Sequence, residues 1–263
     1  MIDIQLNYNK ADISIKKISS VFHKTRPANF SFKQTQSNSY RIALILSGSA
    51  IYDFGDRKTR VGKNDLIFLK KNETYSVTVN ETEPWEHIVI TFEVWNDKEI
   101  DALPFKFLHK TSHSKQFEEI FRTILDVYNT GGVSYNIEMK SLAYRIISLL
   151  LEENEKQFFK KSKYKGIKKA VQYIETNYKE KITIEELAII SGYSVSHFSR
   201  LFKELFSVAP VEYINNLRIE RAKSMLKTDM FTLSEIAEEC GFANVYYFSR
   251  IFKQTVGVTP KKY

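Results

Sequence analysis

The chain has 263 residues, 43% of them apolar, and a formal net charge of +8. That length allows one large domain or two ordinary ones, and the apolar content suffices for packed cores. One cysteine, Cys240, excludes an internal disulfide and a cysteine-based zinc site.

The first six residues lack the basic-then-apolar order of a signal peptide. No apolar run approaches the roughly 18–20 residues of a membrane span. A cytoplasmic protein with no membrane partner is therefore expected.

Residues 1–112 read as a β domain. Residues 41–46 form a short apolar run ending at the turn signal Ser47-Gly48, and residues 50–54 follow before Gly55-Asp56. Residues 66–69 come after the turn at 62–65, Val77 and Val79 alternate with polar neighbours, and Ile88, Ile90 and Phe92 share one face of a last strand. Short strands with regular turns predict a sandwich or small barrel. Tyr40, Arg41, Tyr52, Trp85 and His87 are candidates to line a small-molecule pocket, with ordinary aromatic packing as the alternative for each.

Metal chemistry is not indicated. His23, His87, His109, His113 and His197 form no His-x-His or His-Glu-x-x-His set, and a metal centre needs clustered ligands. No glycine-rich phosphate loop occurs, so no cofactor is expected. Cys240 beside Gly241 reads as a small buried apolar residue rather than a nucleophile.

Residues 113–155 change to a helical period. Phe117, Ile120, Phe121, Ile124, Leu125 and Tyr128 lie on one helical face. Gly131-Gly132 breaks that helix, and a second is expected over 137–153 with Met139, Leu142, Ile146, Leu149 and Leu150 apolar. The pair either covers its own β domain or joins two copies in a homodimer. Residues 156–166, with Lys160, Lys161, Lys163 and Lys165, read as a solvated linker.

The last third repeats itself. Thr183, Glu186, Ala188 and Gly192 correspond to Thr232, Glu235, Ala237 and Gly241; after a one-residue gap, Phe198, Ser199, Arg200, Phe202 and Lys203 correspond to Phe248, Ser249, Arg250, Phe252 and Lys253. Repeats of this kind fix architecture. Thr-x-x-Glu is a capping box, the alanine allows two helices to cross closely, and the glycine supplies a left-handed turn. Together these predict two helix-turn-helix units. Pro210 suits the first position of a helix, and 210–227 reads as a long helix joining the units. Helix 167–178 is scaffold.

Phe198, Leu201, Phe202 and Leu205 form the inward stripe of the second helix in unit one, and Phe248, Ile251 and Phe252 do so in unit two. The outward faces carry Ser196, His197, Ser199, Arg200 and Lys203, then Val245, Tyr246, Tyr247, Ser249, Arg250 and Lys253. Arginine can grip guanine, serine and tyrosine can hold phosphates, and valine can touch a thymine methyl. Residues 163–263 carry +5 of the net charge, which suits a polyanion. Double-stranded DNA is the expected partner.

At Ile236-Ala237, Gly241-Phe242, Tyr247 to Arg250, Phe252-Lys253, Gly257, Pro260 and Tyr263, the chain resembles the DNA-binding domain of AraC/XylS-type transcriptional regulators. The resemblance covers about two fifths of the sequence. It implies that both outward faces enter successive major grooves, through Ser196, His197, Ser199 and Arg200, then Val245, Tyr246, Ser249 and Arg250. Ser207 departs from the pattern, standing where unit two has Gly257. Residues 46–48, 62–67 and 85–92 are fainter traces of the cupin-like sensor domain of that family, which implies a small-molecule effector. Asn64 stands there in place of a usual glycine, and Tyr75 in place of a frequent histidine.

The expected fold is α+β in two domains. A cupin-like β-sandwich or barrel (1–112) is followed by a helical pair (113–155), a linker (156–166) and an all-α double helix-turn-helix domain (167–263). The expected function is sequence-specific, ligand-responsive transcriptional regulation, with activation and contact with RNA polymerase as family-level expectations. The alternative reading is a cupin-type metal enzyme with a regulatory helical tail.

Overall fold

The computed structural model describes residues 13–34, 37–111, 113–161, 163–228 and 230–263. The residues on which the expectation of no signal peptide rests lie outside this set, as do the first twelve positions of the β domain. The chain divides into two compact units, one ending at Lys156 and the other opening at Gln157.

Among the described residues the first unit holds nine strands: β1 (Ile15–Arg26), β2 (Ser31–Gln34), β3 (Tyr40–Ser47), β4 (Ser49–Asp53), β5 (Lys58–Gly62), β6 (Asp65–Leu69), β7 (Tyr75–Val79), β8 (Trp85–Val94) and β9 (Leu108–Lys110). They form two antiparallel sheets, ordered β1-β8-β3-β6-β9 and β2-β7-β4-β5. Strand alternation sorts the side chains. Ala43, Ile45, Tyr52, Val61, Ile67, Val77 and Trp85 from both sheets share one core. Tyr40, Ile42, Leu44, Phe68, Ile90 and Phe92 form another on the opposite face of the five-stranded sheet.

Helices α2 (Ser114–Thr130) and α3 (Tyr135–Lys161) cover that second face. Phe117, Phe121, Ile124, Met139, Ile146 and Leu150 belong to its cluster, so the helical pair packs on its own sheet. A short helix, α1 (Asp97–Asp101), precedes them. The strands at 15–26, 31–34 and 58–62 are not evident in the sequence. β1, β2 and β5 are edge strands, and half-exposed edges carry weak apolar alternation.

Two turns explain local residue choice. Gly48 has φ +70° and a Cβ there would lie 2.0 Å from the Pro84 carbonyl oxygen, so only glycine fits between β3 and β4. Asn64 takes φ 67°, a conformation asparagine tolerates better than most residues. It therefore serves where the family resemblance leads one to expect glycine.

The second unit is all helical: α4 (Lys165–Asn177), α5 (Ile184–Ser191), α6 (Val195–Phe206), α7 (Pro210–Leu226), α8 (Leu233–Glu239) and α9 (Val245–Val256), closed by a 3-10 turn at Pro260–Lys262. The linker expected at 156–166 is instead largely helical. α3 continues to Lys161, and Phe158 and Phe159 pack in the cluster of Ile167, Ile174 and Phe202. The aromatic pair draws the segment into a core, leaving a turn at Lys163 and Tyr164.

Candidate nucleic-acid interface and effector site

The repeat is realised atom by atom. The Thr183 hydroxyl accepts from the Glu186 amide at 3.2 Å while the Thr183 amide donates to the Glu186 carboxylate at 2.9 Å. Thr232 and Glu235 make the same pair at 3.3 and 2.7 Å. Each box satisfies helix-end donors that otherwise lack partners. Gly192 (φ 71°) and Gly241 (φ 77°) then turn the chain.

The helices that follow are capped by Ser194 and Asn244, whose side chains accept from the His197 and Tyr247 amides. Phe198 and Phe202 lie 5.5 Å apart, and Phe248 and Phe252 lie 5.6 Å apart. With matching anchors, α6 and α9 present equivalent outer faces.

Ser196, His197, Arg200 and Lys203 are exposed on α6, and Tyr246, Arg250 and Lys253 on α9; Ser199 and Ser249 are half-buried between them and the core. Tyr246 is 85% exposed, which no packing role explains. Val245 and Tyr247 stand differently from the expected reading face. Both lean on the cluster of Ile236, Phe242, Phe248 and Phe252, and Tyr247 lies 6.1 Å from Phe242 while its hydroxyl accepts from Asn215 at 3.5 Å. Val245 falls three residues before Phe248, on the same helical stripe, so burial follows from spacing. Ile251, expected inward, is half-buried.

Arg250 lies over the Tyr247 ring at 5.3 Å and, among the described residues, forms no ion pair. Arg200 donates to His197 Nδ1 at 3.1 Å and approaches Glu204 only to 3.9 Å. Glu204 is held elsewhere: Lys163 pairs with it and the Tyr164 hydroxyl donates to it at 2.9 Å. These neighbours keep the Glu204 carboxyl below its ordinary range, the Lys163 bond being the chief cause. Lys163 thus neutralises the carboxylate nearest Arg200 and does not float as a linker lysine. The sequence offered no signal for Glu204, because its partners lie some forty positions away.

The second unit is also braced between its halves. Arg218, in α7, donates to the Tyr178 carbonyl at 2.7 Å and the Glu180 carbonyl at 2.8 Å, and stacks over Phe242 at 5.7 Å. A Cβ on Gly241 would lie 2.4 Å from the Lys179 carbonyl oxygen. The end of α8 is therefore seated directly on the loop after α4. Arg218 and Gly241 hold the two helix-turn-helix units in one fixed relation.

In the first unit, four of the five candidate pocket residues meet between the sheets. Arg41 donates to the Tyr75 hydroxyl at 3.0 Å, Tyr52 lies 5.2 Å from Tyr75 and 6.1 Å from Trp85, and Trp85 stacks on His87 at 3.9 Å. Tyr40 does not join them. It lies one residue from Arg41 on the strand, so its ring turns to the opposite face and packs on Phe68 and Phe92. His87 is pushed down to about 4, first by burial and then by the Arg26 charge. It is therefore neutral near pH 7. Burial raises the Tyr52 hydroxyl well above its ordinary range, and raises the Cys240 thiol to about 11, consistent with an unreactive core residue. No group of three or more metal-ligating side chains occurs among the described residues, and none of the described helices is long and apolar enough to cross a membrane.

Two families match this chain: the AraC-like ligand binding domain over residues 17–147 and the helix-turn-helix domain over residues 187–263. The chain belongs to the AraC-type transcriptional regulators. Among its relatives, the HTH-type transcriptional regulator YisR of Bacillus subtilis is 26% identical, the alignment covering 84% of this chain and 92% of its own. The Msm operon regulatory protein of Streptococcus mutans is 24% identical, covering 97% of this chain and 95% of its own. The solved structure of ToxT from Vibrio cholerae is 21% identical, covers 94% of this chain and 98% of its own, and has a TM-score of 0.38. This AraC-type protein is thus a transcriptional regulator with a helix-turn-helix DNA-binding unit and a ligand-binding unit.

Proposed function

We propose that α6 and α9 enter successive major grooves on one face of the duplex. Ser196, His197, Ser199, Arg200 and Lys203 serve the first groove, and Tyr246, Ser249, Arg250 and Lys253 the second, with Val245 and Tyr247 supporting the latter from beneath. The carrying observation is the pair of equivalent exposed faces joined by α7. Its 17 residues span about 25 Å at ~1.5 Å per residue, within reach of the roughly 34 Å repeat of the groove once the radii of the flanking helices are added. Selection on a random duplex library tests this reading. Two short enriched boxes about one helical turn apart are expected, with affinity falling steeply with salt. A single box, or salt-independent binding, overturns it.

The space between the sheets, at Tyr52, Trp85 and His87 and reaching Arg41, is the place we assign to a small-molecule effector. Effector binding shifts the population of DNA-competent protein. Family membership supports a cytoplasmic activator that works as a homodimer beside RNA polymerase. Sedimentation with and without DNA, and transcription from a selected promoter with purified polymerase, check the oligomer and the sign.

A further inference from the structure

We infer that the effector is an organic carboxylate, bound between the sheets at the edge formed by β1 and β2, with Arg26 as its counter-ion. This rests on the reading of the first unit as the effector domain. β1 and β2 are edge strands of the two sheets, and Arg26 of β1 lies over the Phe32 ring of β2 at 5.6 Å, so the two edges meet here.

Three nitrogens there are shielded from solvent and lack a hydrogen-bond partner among the described residues: Arg26 Nε, Trp85 Nε1 and His87 Nδ1. They lie together. Arg26 is directly opposite Trp85 in the β1–β8 register, and Trp85 stacks on His87 at 3.9 Å. Trp85 and His87 are 1% and 6% exposed. Arginine and tryptophan nitrogens only donate, so what completes this cluster has to bring acceptors. A buried polar nitrogen left without a partner is costly, and native proteins rarely keep three in one place.

Charge narrows the class. Arg26 lies over the Phe30 and Phe32 rings at 4.6 and 5.6 Å, and Lys24, opposite His87, lies over Phe22. Neither cation forms an ion pair among the described residues. Uncompensated positive charge over an aromatic floor favours an anion with an apolar body. Hydrogen bonds from a guanidinium to a carboxylate are about twice as strong as neutral ones. A sugar would supply acceptors but leave the half-buried Arg26 charge unmatched.

The two tryptophans provide a direct test. Trp95 is 71% exposed, so Trp95→Phe leaves Trp85 as the reporter. This full-length variant is titrated with benzoate and octanoate, with benzamide and octanamide as neutral isosteres, and with glucose as a neutral polyol. A saturable shift in Trp85 emission is expected with a carboxylate, its amide binding at least about tenfold more weakly. Arg26→Gln is expected to remove that preference. Lys24→Gln, at an exposed position that folding does not depend on, is expected to weaken carboxylate binding and flatten its salt dependence. Equal binding of amide and acid, or a carboxylate response unchanged in both variants, overturns the proposal. A response to glucose alone overturns the carboxylate while leaving the effector domain in place. Silence towards every probe overturns both.

Discussion

Ser207 closes α6 with φ 62°, where the equivalent Gly257 closes α9 with φ 89°. A residue with a Cβ is disfavoured in that left-handed region by about 1–2 kcal/mol, and glycine gives back part of this through its freer unfolded chain. Ser207→Gly is therefore expected to stabilise the second unit by about 1 kcal/mol in urea denaturation. His87 makes an opposite kind of prediction. Its folded value, about 4, lies below the ordinary 6.5, so the unfolded chain binds a proton that the folded chain refuses. The stability contributed is complete above pH 6.5 and is lost as the pH falls towards 4, by about 3 kcal/mol over the whole window. His109 is lowered in the same direction by burial. His87→Leu is expected to flatten the acid limb of a thermal denaturation series, and an unchanged limb would assign that pH dependence to other groups.

At the scale of elements, α9 and α7 do different work. Arg250 has no carboxylate partner among the described residues and sits at the exposed centre of α9, so Arg250→Ala is expected to cost about 1–3 kcal/mol in DNA binding and relax base preference at one position. Retained affinity and specificity in a binding titration would remove Arg250 from the reading face. Arg218 is not itself among the predicted DNA contacts, yet it ties α7 to the loop after α4 and to Phe242 of the second helix-turn-helix unit. Arg218→Ala is expected to leave binding to a single box within about twofold while loosening the dependence on box spacing. Measured across duplexes whose spacer is lengthened one base pair at a time, the parent protein should show one sharp optimum and the variant a shallow one.

Over the whole molecule, effector and DNA are handled by units with separate hydrophobic cores. A ligand that binds only the folded first unit stabilises it by about 2.7 kcal/mol at a hundredfold excess over its Kd. Calorimetry is therefore expected to resolve more than one transition, with an effector raising the one belonging to the sandwich and a specific duplex raising the one belonging to the helical unit. A single transition moved equally by both would show the units unfolding as one.

The helical unit was legible because its information is local. Capping boxes, turn glycines and the phenylalanine stripe operate over three to ten residues, and their duplication names the motif, so the bounds of α7 and the equivalence of Arg200 and Arg250 follow from the sequence. The sensor unit was legible only in its central strands, where burial on both faces leaves continuous apolar runs. Its edge strands, and the separation of Tyr40 from Arg41 onto opposite faces, depend on register and pairing. The grouping of Arg26 with Trp85 and His87, the Glu204 tether to Lys163 and Tyr164, and the Arg218 brace depend on it equally. Each joins residues tens of positions apart through strand pairing, a hydrogen bond, an ion pair or a ring contact. Chain folding creates such proximity, and no spacing along the chain encodes it.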